Sequence, residues 1–361
     1  MTGRNRLSGL VALTVTALAL GLAACGSSSS NKTTTTTTGG GAGATTGTTT
    51  GSSGSGTKLK VGVVTDIGGL NDRGFNHLAY VGLLRAEQQL GIQGRVLTSN
   101  SGADYLPNLT TLARDGYNLI IPVGFLMAQA TDQVAKAFPS AKFAMVDSDA
   151  TMEAGDPKNI EGLLFEEQQA GYLAGYLAGL YAKSKGYKTI SSVGGQKIPP
   201  VDHYIAGYQA GAKAADPGIT TLNGYSQDFT AQDKCKNIAL NQIQQGSKVV
   251  FQVAGGCGLG ALSAAQQQGV QGIGVDADQS YLGAYVLTSA EKKVDNAVFN
   301  AIQGLQSGRF AAGTNVINSI ANGGIGYGKI GPAGLQFSPQ IQKIYNEIKS
   351  GQISNIPNTV K

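Results

Sequence analysis

Residues 59–76 read "LKVGVVTDIGGLNDRGFN". "LKVGVV" is a short, β-branched apolar run of the kind that forms a strand buried on both faces. It feeds "TDIGGLNDRGFN", where glycines stand among three ionised side chains, two asparagines and one aromatic ring. Core packing has no use for that mixture. A strand that ends this way holds something at its mouth.

The device recurs along the chain. Apolar runs such as "YNLIIPV", "KFAMVD", "IEGLLF", "KTISSVG", "KVVFQV" and "GIGVD" alternate with longer stretches at helical spacing, such as "GFNHLAYVGLLRAEQQLG". That alternation predicts βα units and a parallel sheet covered on both faces. The strands are too many for one comfortable open sheet, so two doubly wound lobes are expected. Residues 58–165 form the first and 166–283 the second, and the strand and helix of 284–310 return to the first. Residues 311–361 are assigned to neither lobe; "ANGGIGYGKIG" suggests a hairpin and "PQIQKIYNEIKSG" a last helix. Ligands of open parallel sheets sit beyond the carboxyl ends of the strands. Two facing lobes therefore make a cleft.

The start of the chain serves another purpose. Residues 1–24 carry Arg4 and Arg6 and then a long apolar run, the pattern of a signal peptide. "LAAC" at 22–25 resembles the bacterial lipobox, which implies cleavage before Cys25 and a lipid anchor on it. The Thr/Gly/Ser stretch of 25–57 has no aromatic or branched aliphatic residue to offset chain entropy by burial, so it is expected to be a tether. A Gly-rich coil of that length spans on the order of 30 Å. The expected location is the extracytoplasmic face of the bacterial cell membrane.

Composition excludes several classes. The formal charge of +5 falls to +3 without Arg4 and Arg6, and the lysines are scattered, so nucleic acid is not an expected partner. With 2 His, 3 Cys and neither H-x-x-H nor C-x-x-C spacing, no metal site is expected. "VVFQVAGGCGLG" followed by "GVD" imitates a dinucleotide fingerprint, but Ala261 occupies the place of the third glycine. An exported protein also meets no nicotinamide pool, and no cofactor is expected. What survives is Asp276, an acid at a strand end, placed to take a ribose diol. G-x-S-x-G is absent and neither His77 nor His203 has a triad context, so both read as polar helix residues. Gly171, Gly175 and Gly179 in "FEEQQAGYLAGYLAG" read as helix-packing positions. The expectation is a binding protein rather than an enzyme.

Either Asn71 or Asp72 caps the helix after the first loop, which leaves Asp66 and Asn76 surplus, and all four enter the candidate ligand-binding set. Phe75, Phe125 in "VGFLM" and Phe229 in "YSQDFTAQ" each follow a strand, and together they suggest an aromatic-walled pocket. Gly124, Asp147 and Gly255, also at strand ends, complete the candidate set. Cys235, in the helix after Phe229, and Cys257, ending the next strand, belong to consecutive βα units. Their proximity and an oxidising location predict a disulfide.

Taken in order, "VTDIGGLNDRGFN", "FEEQQAGYLAGYLAG", "SVGGQKIP", "AGYQAGAKAADPG", "AGGCGLG" and "LTSAEKKVDNAV" resemble the basic membrane protein family of bacterial lipoproteins. The resemblance runs from about residue 58 to 352 and implies a type I periplasmic-binding-protein fold. It further implies a nucleoside ligand, a purine nucleoside foremost, and an ABC importer permease as partner. Asp66, Phe75 and Asn76 would come from the first lobe, Phe229 would supply the opposing ring, and Asp276 and Lys292, the latter expected in the first turns of the helix after "YVLT", would serve the ribose. Glu291 in "SAEKKV" departs from the apolar residue of many members, which leaves Lys292 and Lys293 as alternatives for that role. Two rivals stand beside this reading: an enzyme of nucleoside or dinucleotide chemistry, and a sugar or autoinducer receptor on the same fold.

Overall fold

The computed structural model describes residues 58–152 and 157–360. The leader, the tether and Cys25 lie outside the described residues. The first lobe is built from β1 (Lys60–Ile67), α1 (Phe75–Leu90), β2 (Gln93–Ser99), α2 (Tyr105–Arg114), β3 (Leu119–Pro122), α3 (Ala128–Ala137), β4 (Lys142–Val146) and β5 (Ile160–Phe165). The second begins with α4 (Glu167–Ser184), β6 (Thr189–Gly194), α5 (Pro199–Ala215), β7 (Thr220–Tyr225) and α6 (Gln232–Gln244). It continues with β8 (Ser247–Val253), α7 (Gly255–Gln267), β9 (Gln271–Asp276) and β10 (Val286–Lys292). Then come α8 (Val294–Gln306), β11 (Asn315–Asn318), β12 (Ile325–Tyr327) and α9 (Ser338–Lys349).

The strands form two 6-stranded sheets of corresponding strand order: β11-β5-β4-β3-β1-β2 and β12-β10-β9-β8-β6-β7. All pairings are parallel except β10 with β12, which is antiparallel. Central strands such as β3 are buried throughout, as their apolar runs require. The α/β architecture is the doubly wound, two-lobed one that the strand runs imply.

Two assignments need correcting. The expected return to the first lobe at residue 284 holds for the helix but not for the strand: β10 pairs with β9 in the second sheet. Only α8 goes back, packing so tightly on α1 that a Cβ at Gly82 would stand 2.5 Å from the Asp295 carbonyl oxygen. Apolar patterning marks a buried strand without saying which sheet buries it. The expected hairpin near "ANGGIGYGKIG" is also absent, because β11 joins β5 in the first sheet while β12 joins β10 in the second. The chain therefore passes between lobes three times, near 166, 293 and 320. The crossings are tied side by side, Glu166 N–H to the Asn318 carbonyl (2.9 Å) and Lys293 N–H to that of Gly324 (2.9 Å).

Helices α4 and α5 meet through glycine. A Cβ at Gly175 would lie 1.9 Å from the Tyr208 carbonyl oxygen, and one at Gly211 would lie 2.0 Å from that of Tyr172. Backbone meets backbone, and the four-residue glycine spacing permits it.

Candidate functional site

The carboxyl ends of both sheets open on a single cleft of about 620 Å³ of empty space, counted to its mouth. In the first lobe the Asp72 carboxylate accepts the N–H groups of Gly74 (3.1 Å), Asn76 (2.7 Å) and His77 (3.1 Å). Asp72 rather than Asn71 therefore satisfies the free donors at the start of α1. Asn71 is exposed and stays out of the cleft. The Asn76 amide oxygen receives the Asp66 N–H (2.8 Å), which fixes the turn leaving β1. Asp66 itself accepts the Tyr105 hydroxyl. Burial pushes its carboxyl up, against the opposing pull of the Tyr105 bond. Gly124 must be glycine here: φ is +115°, and a Cβ would stand 2.8 Å from Asp66 Oδ2.

The second lobe presents a ring. Phe229 lies against the Gly195 backbone, where a Cβ would come within 2.3 Å of it. Its carbonyl accepts the Cys257 N–H (2.9 Å), and Cys257 is joined to Cys235 by a disulfide with Cα atoms 5.6 Å apart. Cys257 sits in the first turn of α7 rather than at the end of β8. Asp228 accepts the N–H groups of Thr230 (2.8 Å) and Ala231 (3.0 Å), bracing the same loop.

The lobes meet at a buried charge cluster. Lys292 is 1% exposed, with Nζ 2.6 Å from Asp147 Oδ1 and 2.8 Å from Glu167 Oε1. The ammonium also lies over the rings of Phe165 (4.7 Å) and Phe75 (5.1 Å), an attractive placement for a cation. The expectation that Lys292 begins a helix is corrected: it ends β10, beside the residue paired with Asp276. Lys293 turns instead to Glu291 (2.5 Å).

Asp147 and Asp276 both adopt left-handed backbone, with φ 69° and 63°. Such conformations are uncommon outside glycine and mark functional sites. They stand at matching places, just beyond β4 and at the end of β9. Burial pushes the Asp276 carboxyl up to about 7 against the opposing charge of Lys292. Burial likewise lifts Asp147 to about 6, with Lys292 opposing and Glu167 adding to the rise. Burial alone would raise Glu167 too, but Lys292 and His203 hold it below its ordinary range. One ammonium cannot hold three buried carboxylates ionised equally, and Glu167 has the best of it.

Asp66, Asp72, Phe75, Asn76, Gly124, Phe125 and Asp147 line the cleft from the first lobe, and Phe229, Gly255, Asp276 and Lys292 from the second. Tyr204, whose hydroxyl donates to Asp276 Oδ1 (3.2 Å), lines it as well and gave no sign in the sequence beyond its helical spacing. His203 and Glu167 were read as a polar helix residue and part of a packing motif. They are in contact, His203 Nδ1 lying 3.0 Å from Glu167 Oε2. The strand-end acid signal that marks Asp276 also marks Glu167, just past β5.

Two parallel-sheet lobes with three crossings, and a deep polar and aromatic cleft at the carboxyl ends of both sheets, define a periplasmic-type solute-binding protein. The solute-binding protein of an ABC transporter system from Aeropyrum pernix K1 superposes with a TM-score of 0.74, is 26% identical and covers 83% of this chain and 94% of its own. The model of the family "ABC transporter substrate-binding protein PnrA-like" matches residues 59–359, and the chain belongs to that family. Among relatives, the ABC transporter nucleoside-binding protein BmpA of Lactococcus lactis is 33% identical over 320 residues, 82% of this chain and 89% of that one. An uncharacterized lipoprotein of Pyrococcus furiosus is 34% identical over 282 residues, 75% and 70% of the two chains.

Proposed function

We propose that this protein captures a nucleoside, preferentially a purine nucleoside, without transforming it and delivers it to an ABC importer. It does so from the outer face of the cell membrane, anchored through lipid on Cys25. The observation that carries the reading is one cleft walled by Phe75, Phe125 and Phe229 with the Asp276 carboxylate inside it. Phe75 and Phe229 come from opposite lobes and take the two faces of a flat heterocycle. Asp66 and Asn76 serve the polar edge of the base. Asp276 accepts the two hydroxyls of a ribose 2′,3′-diol, a donor pair suited to a carboxylate that only accepts when ionised. Lys292 supports the ribose from the neighbouring strand. The nucleoside-binding name of the Lactococcus lactis relative points the same way.

Calorimetric titration of inosine and 2′-deoxyinosine tests this. Loss of a hydrogen bond to a charged group costs roughly 1.5–3 kcal/mol, so the deoxy analogue should bind about ten- to a hundredfold more weakly. Asp276→Asn should narrow that preference. Asp278→Asn should not, because Asp278 is occupied with the Ser280 N–H (3.0 Å). Equal affinities for the parent refute the diol contact, and release of free base refutes simple capture.

A further inference from the structure

The charge cluster extends behind the cleft to groups that do not line it. Glu167 is 2% exposed and does not line the cavity. One of its oxygens faces Lys292 Nζ at 2.8 Å and the other faces His203 Nδ1 at 3.0 Å. An ionised carboxylate only accepts, so Nδ1 of His203 carries the hydrogen and donates it. His203 is partly open to solvent, its side chain 27% exposed, and its neighbour Tyr204 reaches into the cleft and holds Asp276. The chain around Glu167 is the first crossing between lobes, and Lys292 ends the strand before the second. The glycine contacts leave this frame little play: a Cβ at Gly171 would stand 2.1 Å from the Tyr204 carbonyl oxygen, and one at Gly207 would stand 2.1 Å from that of Gln168.

Lys292 has two claimants. Asp147 comes from the first lobe and lines the cleft; Glu167 comes from the crossing and does not. A lysine side chain is long and flexible, and without Glu167 its ammonium would be left to the two cleft carboxylates. We infer that Glu167, fixed in turn by His203, is a positioning residue of the binding site: it anchors the Lys292 ammonium at the lobe junction from outside the cavity. Lys292 then spans the junction to Asp147 while leaving the cleft face of Asp276 free to accept from the ligand. The "FEEQQ" that opens the glycine motif thus serves recognition as well as packing. The inference rests on the nucleoside reading only for its choice of probe.

The test uses the whole chain and two readouts. Inosine is titrated into the parent, Glu167→Gln, His203→Ala and His203→Asn proteins. The Asp147 side-chain carboxyl is followed by carbon NMR across pH without ligand, its signal assigned with Asp147→Asn. Glu167→Gln should bind inosine at least tenfold more weakly. It should also move the Asp147 titration to lower pH, because Lys292 loses a competing carboxylate. His203→Ala should weaken binding a fewfold, and His203→Asn, whose amide N–H replaces that of Nδ1, should regain most of it. Parent-like affinity together with an unmoved Asp147 titration in Glu167→Gln overturns the inference. If Glu167→Gln does not fold, the His203 pair decides, and equal affinity for the alanine and asparagine variants overturns it. A parent that binds no nucleoside overturns the proposed function instead, and the Asp147 titration still decides the role of Glu167.

Discussion

The two lobes are copies in topology and unlike in chemistry. Their sheets share one strand order, and Asp147 and Asp276 occupy matching ends in the same left-handed conformation. Beyond those ends they diverge. The first lobe brings most of the acceptors to the cleft, with Asp66, Asp72 and Asn76 set in a lattice of backbone hydrogen bonds beside the rings of Phe75 and Phe125. The second brings more apolar surface, with Ile198, Pro200, Val201, Val253 and Phe229 lining the cleft beside Asp276 and Lys292. A sheet must repeat its hydrogen bonding and burial to exist, but its end loops answer to no such demand. Duplicated scaffolding can therefore carry two unlike walls, one richer in acceptors and one richer in apolar surface, suited to a solute that has both kinds of face.

The sharpest way to break this picture is to remove the charge that joins the lobes. Lys292→Met leaves Asp147 and Glu167 buried without their cation. Breaking a buried pair in this way costs about 3–5 kcal/mol, to be seen in urea unfolding at pH 8. A loss below about 1 kcal/mol means that the cluster behaves like a surface pair and does not join the lobes. Next is the disulfide, which only the second lobe has among the described residues. It closes a separation of 22 residues, worth about 3 kcal/mol in the chain-entropy model. The Cys235→Ser/Cys257→Ser protein should unfold earlier by that amount and bind nucleoside less tightly, since the disulfide ties down the α7 turn whose Cys257 backbone N–H holds the Phe229 loop. Free thiols in unreduced, denatured parent protein would remove the premise.

The rings compare the lobes directly. Phe75→Ala and Phe229→Ala should each cost about 1–3 kcal/mol of binding, the scale of base–aromatic stacking, with little change in apo melting. If both variants melt far below the parent without ligand, the rings are core and the sandwich fails. The last comparison concerns pH. Asp276 rises from an ordinary value of 3.8 to about 7 because it is buried. Between those values the folded state holds the extra proton, so this contribution to stability is full below about pH 4 and is lost as pH rises through 7. Asp276→Asn cannot suffer that loss. It should melt several degrees above the apo parent at pH 8, an effect on the order of a few kcal/mol, and no higher at pH 4. The same gain at both pH values would assign it to packing rather than charge.

How much was legible follows from which forces are local. The run "LKVGVV" and its successors announce buried parallel strands because burial on both faces demands continuous apolar residues. Strand-end rings and acids then pointed to Phe75, Phe229 and Asp276, since parallel sheets place such ends at one edge. Asp72 was legible as one of two possible caps, and the hydrogen bonds chose it over Asn71. Glu167 was hidden by the glycines that follow it, which have a sufficient packing explanation of their own. Lys292 was misplaced into a helix because "SAEKKV" has no β-branched residue before its last position. It is pairing with β9, not propensity, that keeps that stretch extended.

The sequence by itself determined the two-lobed α/β class, the cleft at the strand ends and the cysteine pair, because burial period, turn chemistry and short loop distances are properties of neighbouring residues. The lobe that owns β10, the separation of β11 from β12, and the gathering of Asp147, Glu167, Asp276 and His203 around Lys292 were decided only in tertiary structure. Those depend on which sheet edge stays open to a returning chain. They depend also on which buried carboxylates share one cation, and no window of sequence contains both partners.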